Sequence, residues 1–296
     1  MVKCPRPYSN SASELCRAPR LRDTSSMNEP TVIAIPFFVL TLVIEAYVLY
    51  RQGKAYEPWD TAASLSGGLG SLVTKALVKG VTFGIYSWLY EFRVFDLGTG
   101  VLAWLLLVPL EDLCYYAYHR TSHEVRFFWA AHVAHHSSER YTLATALRQS
   151  WTAPVVQIGF WFPLPLLGFR PEMILLMQSF SLLYQYWIHT ETIDRLGPLE
   201  SVMNTPSHHR VHHGSNPHYL DRNHAGIFII WDRLFGTFEP EGEPVRYGIT
   251  TPLGTTKWLT VQFHEFRDIW RDLRTFRSTR TRLRAIFGRP GEVLSE

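Results

Sequence analysis

Between His119 and His136 the chain reads HRTSHEVRFFWAAHVAHH, five histidines within eighteen residues. On a helix, His119 and His123 stand at i and i+4 and project from one face. His132, His135 and His136 follow at i, i+3 and i+4. A later HHRVHH repeats that spacing at His209, His212 and His213, with His208 just before them. His189 closes an apolar run. Imidazole is the commonest metal-ligating side chain, and an i, i+4 pair is how one helix offers two to one ion. Three such clusters in one chain are poorly explained by chance, so the chain is read as metal-binding. His218, His224 and His264 lack the spacing and are read as ordinary surface or core residues.

Nine histidines, His119, His123, His132, His135, His136, His189, His209, His212 and His213, are too many for one ion and suit two. An all-nitrogen set fits iron, zinc, copper or nickel and argues against magnesium or calcium. The three cysteines, Cys4, Cys16 and Cys114, form no CxxC and no disulfide framework, which points to a reducing compartment. Cys114 lies a turn or more before His119 and would be an unusual partner for the histidines.

The apolar pattern predicts an all-α integral membrane protein with about four or five transmembrane helices and a cytoplasmic, histidine-rich helical cap. Residues 1–26 are polar, carry no signal-peptide core and are read as disordered, within an extension over 1–30. Met27, just before the first apolar run, is a candidate start. The membrane domain is expected over 31–250 and a basic amphipathic segment over 251–296. Candidate spans are 31–50, 65–90 (weakened by Lys75 and Lys79, and alternatively an interfacial helix), 100–118, and a hairpin of 153–169 and 171–188. The GGLG at 67–70 is too short for a nucleotide-binding fingerprint. The third span ends in His119 and contains Glu111 and Asp112. Asp112, two turns before His119, is a candidate acceptor for a ligand histidine's free N–H. Counting crossings brings every histidine cluster to one side, the side rich in Arg and Lys, hence cytoplasmic. The same count leaves the arginines of 1–26 outside. GIFIIWDRLFGTF is read as a strand or helix under the metal site. The aromatic and Arg-rich 257–288 is read as a helix lying on anionic lipid, or else a solvated one.

The motifs His119-x-x-x-His123, His132-x-x-His135-His136 and His209-x-x-His212-His213 resemble the fatty acid hydroxylase and sterol desaturase superfamily of membrane di-iron oxygenases. DLCYYAYHRTSHE, HHSSERYTLATALRQS, LLYQYWIHTE, NTPSHHRVHHG and FIIWDRLFGTFE look like its alkylglycerol monooxygenase branch. The resemblance spans about residues 30–250. One departure is that Gln185 stands where fatty acid 2-hydroxylases carry the first histidine of a further HxxxH, leaving only His189. The resemblance implies the nine histidines as ligands of two iron ions; Asp112, His208 and Gln185 are candidate outer partners of those ligands. It also implies O2-dependent hydroxylation of a membrane lipid.

The chain has no dinucleotide fingerprint, iron–sulfur cysteine set or recognisable haem module. An external reductant is therefore expected: a cytochrome, a ferredoxin or a reduced pterin, of which the resemblance suggests the pterin. No nucleic-acid partner is expected. A desaturase or sterol oxidase on the same site is the alternative enzyme, since both reactions begin with hydrogen abstraction. A metal transporter would place its ligands at mid-membrane rather than at span ends. Zinc hydrolysis is allowed by the ligands alone.

Overall fold

The computed structural model describes residues 30–295. The expectations for Cys4, Cys16, Met27 and nearly all of the 1–30 extension therefore lie outside the described residues. Within them every regular element is helical, and the only β pairing is two isolated bridges, Met203 with Phe228 and Gly214 with Tyr247.

The first expected span is a short α1 (Pro30–Ile33) followed by α2 (Ile35–Arg51). The second is α3 (Pro58–Tyr90), 33 residues long. At ~1.5 Å per residue that is roughly 50 Å, more than a bilayer core of ~30 Å needs. The third, α4 (Val101–Glu124), is the one described helix both long and apolar enough to cross a membrane, and it ends in His119 and His123.

The chain then breaks into short pieces: α5 (Arg126–Ala130), α6 (Val133–His136), α7 (Leu143–Ala146), α8 (Ala153–Val156), a 3-10 turn at Ile158–Trp161, and α9 (Pro163–Leu167). The first arm of the expected hairpin is thus not one helix. Pro154, Pro163 and Pro165 each lack the N–H that a continuous helix would use. The second arm is a single helix, α10 (Pro171–Trp187). After a 3-10 turn at Gly197–Ser201 come α11 (Pro206–His212), α12 (Ile230–Phe235), α13 (Trp258–Thr275) and α14 (Thr279–Phe287). The GIFIIWDRLFGTF segment is therefore bridge and short helix.

The main core lies between α3, α4, α9 and α10, around Tyr86, Leu107, Tyr118, Trp161, Ile174 and Met177. The GGLG of α3 has a packing reason. A Cβ on Gly67 would stand 2.8 Å from the Gln149 carbonyl oxygen, and one on Gly70 would run into the Trp151 indole. Small residues there let α3 lie against the strip that follows α7. Arg148 in that strip is buried and crosses back: it pairs with Asp60 of α3 at 2.8 Å and donates to the Ala134 carbonyl of α6 at 3.1 Å. This ties the middle histidine motif to the longest helix.

The C-terminal helices pack on the protein by one face. Arg126 of α5 donates to Glu265 and Asp272 of α13, each at 2.6 Å, and to the Ala285 carbonyl of α14. Val261 and Ile269 are buried on that face, while Trp258, Leu259 and Trp270 stay exposed.

Candidate metal centre

The nine histidines gather into two buried groups. Site A holds His119, His123, His132, His136 and His212, and site B holds His135, His189, His209 and His213. In each group one nitrogen per ring lies within 4.8 Å of all the others. The motifs do not map one to a site. Residues four apart stay together: His119 with His123, and His132 with His136, in site A, and His209 with His213 in site B. The middle histidine of each HxxHH motif crosses over, His135 to B and His212 to A. Positions i+3 and i+4 differ by about 100° around a helix of 3.6 residues per turn, so adjacent histidines diverge to either side. Each HxxHH motif therefore serves both sites.

Shared inward nitrogens give the geometry. His119 Nε2 stands 3.0 Å from His132 Nε2, His132 Nε2 3.1 Å from His136 Nε2, and His136 Nε2 3.2 Å from His212 Nε2. In site B, His189 Nε2 is 3.1 Å from His135 Nε2 and 3.0 Å from His209 Nε2. The Nδ1 atoms of His119, His212 and His189 face backbone carbonyls of His224, Arg222 and Gln185 at 2.7, 2.8 and 2.6 Å. A carbonyl only accepts, so these Nδ1 atoms carry the proton and their Nε2 lone pairs point inward.

Lone pairs converging at such distances repel unless a cation lies among them. The inward Nε2 atoms of His123 and His213 are buried with no hydrogen-bond partner at all. Two nitrogens bound at right angles to one ion at ~2.1 Å would stand about 3.0 Å apart, against about 3.4 Å at the tetrahedral angle. The 3.0–3.2 Å spacings of these neighbouring nitrogens are of the size that ligands of one ion would take. Two transition-metal ions thus suit the donors present.

Burial, reinforced by neighbouring imidazoles, holds His132, His135, His136, His209, His212 and His213 well below the usual histidine range. Burial likewise pushes His189 down to about 4. These rings are neutral near pH 7, the form that binds metal.

The neighbours expected from sequence take other parts. Asp112 accepts from the backbone N–H groups of Ile227 (2.7 Å) and Phe228 (2.9 Å) and from the Trp231 indole (3.0 Å), rather than from a ring nitrogen. Gln185 does hold His189, but through its backbone carbonyl, and its side-chain amide donates to Ser181. His208 is buried against Phe238 and belongs to neither group. His218 is exposed beside Glu243, and His264 is buried on α13 with its Nδ1 toward the Thr260 carbonyl. Neither belongs to a site, as the spacing predicts.

His224, read from its spacing as an ordinary residue, lies beside site A without joining it. It is fully buried, with its ring centre 5.1 Å from that of His123 and 5.6 Å from that of His212. Neither of its ring nitrogens completes a hydrogen bond, although the Asp221 backbone comes near. It falls outside the 4.8 Å group of site A. No local signal marks it, because it reaches the site from a loop eleven residues after the last motif.

A family profile described as "Fatty acid hydroxylase" matches residues 104–237. Alkylglycerol monooxygenase of Danio rerio is 40% identical over 87% of this chain and 58% of its own length. The Homo sapiens protein of that name is 43% identical over 80% of this chain and 54% of its own. Ornithine lipid hydroxylase OlsE of Rhizobium tropici is 30% identical over 49% of this chain and 45% of its own length. The chain thus spans about half the length of these curated relatives. No solved structure matches it. Residues 104–237 thus match the fatty acid hydroxylase family, and all nine histidines of sites A and B lie inside them.

Proposed function

We propose that this chain is a membrane-bound di-iron oxygenase that hydroxylates a C–H bond of a lipid, using O2 and electrons from an external donor. The observation that carries the reading is the pair of buried, all-imidazole sites inside a fatty acid hydroxylase segment. The resemblance to proteins named alkylglycerol monooxygenase supports an ether lipid over a sterol as substrate, and a reduced pterin is the donor proposed with it.

His119, His123, His132, His136 and His212 would hold one ion, and His135, His189, His209 and His213 the other. Bound iron supplies activation of O2 toward an unreactive C–H bond. The protein's part is to hold neutral imidazoles in fixed orientation and to keep water away. Trp129 serves the second task, lying 5.2 Å from the His123 ring and 5.6 Å from that of His136.

Embedding in a membrane is supported by the surface. Val39, Leu40, Val43 and Ile44 on α2, Leu69, Leu77 and Val81 on α3, and Leu102 and Leu105 on α4 are all exposed. A soluble monomer seldom exposes so many large apolar side chains along its helices. With α4 crossing and its C-terminal end at the histidines, both sites sit at one membrane face, taken as the cytoplasmic one. Cysteine labels at Glu139 and Arg170 test this, with Glu139 expected to react only from the cytoplasm and Arg170 only from the other side.

The decisive experiment is metal analysis of protein purified without an affinity histidine tag, together with lipid turnover. About two irons per chain and O2-dependent hydroxylation are expected. Tightly bound zinc with no oxidation, or desaturated product alone, would sink the hydroxylase reading.

A further inference from the structure

Site A is held from outside its own motifs by four consecutive residues, 221–224. The His224 carbonyl accepts from His119 Nδ1 and the Arg222 carbonyl from His212 Nδ1. The Asp221 carboxylate stands 3.6 Å from His123 Nδ1. Two of the five rings are thereby aimed by hydrogen bonds through the nitrogen that faces away from the site, and the Asp221 carboxylate lies close to the outer nitrogen of a third. The turn is unusual: Asp221 (φ 56°) and Asn223 (φ 55°) are the only non-glycine residues with positive φ among those described. Asp and Asn tolerate that region better than other side chains, but the conformation needs support.

The support is dense. Asn223 is fully buried; its amide donates to the His208 (3.0 Å) and Glu239 (2.7 Å) carbonyls, and its side-chain oxygen accepts the Glu239 N–H. Asp232, also fully buried, accepts the N–H groups of His224 (2.7 Å) and Ala225 (2.8 Å). Asp112 then fixes Ile227 and Phe228. Between these anchors Gly226 leaves no room for a side chain, since a Cβ there would stand 2.7 Å from Asp112 Oδ1. Site B has no such device. His189 uses the last free turn of its own helix, and Nδ1 of His135 and of His209 has no hydrogen-bond partner, although the Arg148 backbone comes near the former.

We propose that segment 221–224 is a clip that pre-orients site A, so that the chain binds its two ions unequally, the site A ion more tightly. The inference rests on reading both groups as metal sites. Rings already aimed lose less freedom when an ion binds, and outer partners of ligating histidines typically govern affinity by about 10- to 100-fold.

The test is a titration of the metal-stripped full chain in detergent with cobalt(II), followed by its visible absorption. Two phases are expected, the first at least about tenfold tighter. His212→Ala should abolish the tight phase and His209→Ala the weak one. Asn223→Ala should weaken only the tight phase, by about 10- to 100-fold, and Asp221→Asn only that phase, by about tenfold. Asn223 is buried and its loss can unfold the protein; Asp221 has a half-exposed side chain, so its variant keeps the test open. Equal affinities, clip variants that weaken both phases or only the weak one, or loss of the tight phase in His209→Ala would overturn the proposal. Equal affinities with lipid turnover intact overturn the clip alone. No cobalt binding at all overturns the metal reading and the clip together.

Discussion

Site A and site B are made from one residue type at the same helical spacings, and both are buried. They differ in what stands behind the rings. In site A, His119, His123 and His212 are each faced from outside by one short loop. In site B only His189 is aimed, by the Gln185 carbonyl four residues back. That carbonyl is one of the unpaired acceptors left where α10 stops at Trp187. Two routes to the same end are visible. A helix terminus orients a ring with groups it has spare, whereas a loop does so only if other side chains force its backbone into place. The loop can therefore be tuned or broken by residues that never face a metal, and the helix terminus cannot.

Removing a ligand is the bluntest way to break the comparison. His212→Ala and His135→Ala should each abolish lipid turnover while the protein still folds and inserts. Each should drop the metal content from about two to about one per chain, read by elemental analysis. Full turnover in either variant removes that residue from the site.

Next in size is Asp232→Ala. It leaves the buried N–H groups of His224 and Ala225 without acceptors, at about 1–3 kcal/mol for each orphaned donor. Thermal unfolding in detergent should fall by several degrees, and iron should be lost from site A before site B. A variant that melts early yet keeps both ions equally would show that the loop's anchors serve stability only.

Gln185→Ala sharpens the contrast on the other side. The group that holds His189 is a backbone carbonyl, so the substitution should change the affinity of the weaker ion by less than about threefold, far below the ~10- to 100-fold typical of a lost outer partner. A drop of tenfold or more would mean that the amide itself acts at site B. Smallest of all, His218→Ala should leave both binding phases and turnover unchanged. His264→Ala should cost some stability through α13 and leave metal stoichiometry at wild-type level.

Much of the site was legible in the chain because it is local. Four-residue separations put His119 with His123, His132 with His136 and His209 with His213 wherever the helix lies, and each pair does share a site. Helices α2, α3, α4 and α10 follow the apolar runs read from sequence, since a long apolar segment has few ways other than a helix to satisfy its backbone. The division of each HxxHH motif between two ions was less legible. His132 precedes the first turn of α6 with a non-helical backbone (φ −129°), so which ring faces which ion depends on how short helices dock. The broken arm over 153–169 shows prolines overriding an apolar pattern.

Only the tertiary structure decided the roles of His224 and Asp112 and of the glycines of α3. Asp112 sits two turns before His119 on the same helix, which suggests a contact along that helix. Its carboxylate instead caps a loop more than a hundred residues later. Gly67 and Gly70 answer to Gln149 and Trp151 across the fold. Spacing along a chain fixes which side chains leave a helix together, because the helical repeat is a property of the backbone. What those side chains meet depends on which distant loop folds over them, and that follows from packing and buried hydrogen bonds that no single stretch of sequence contains.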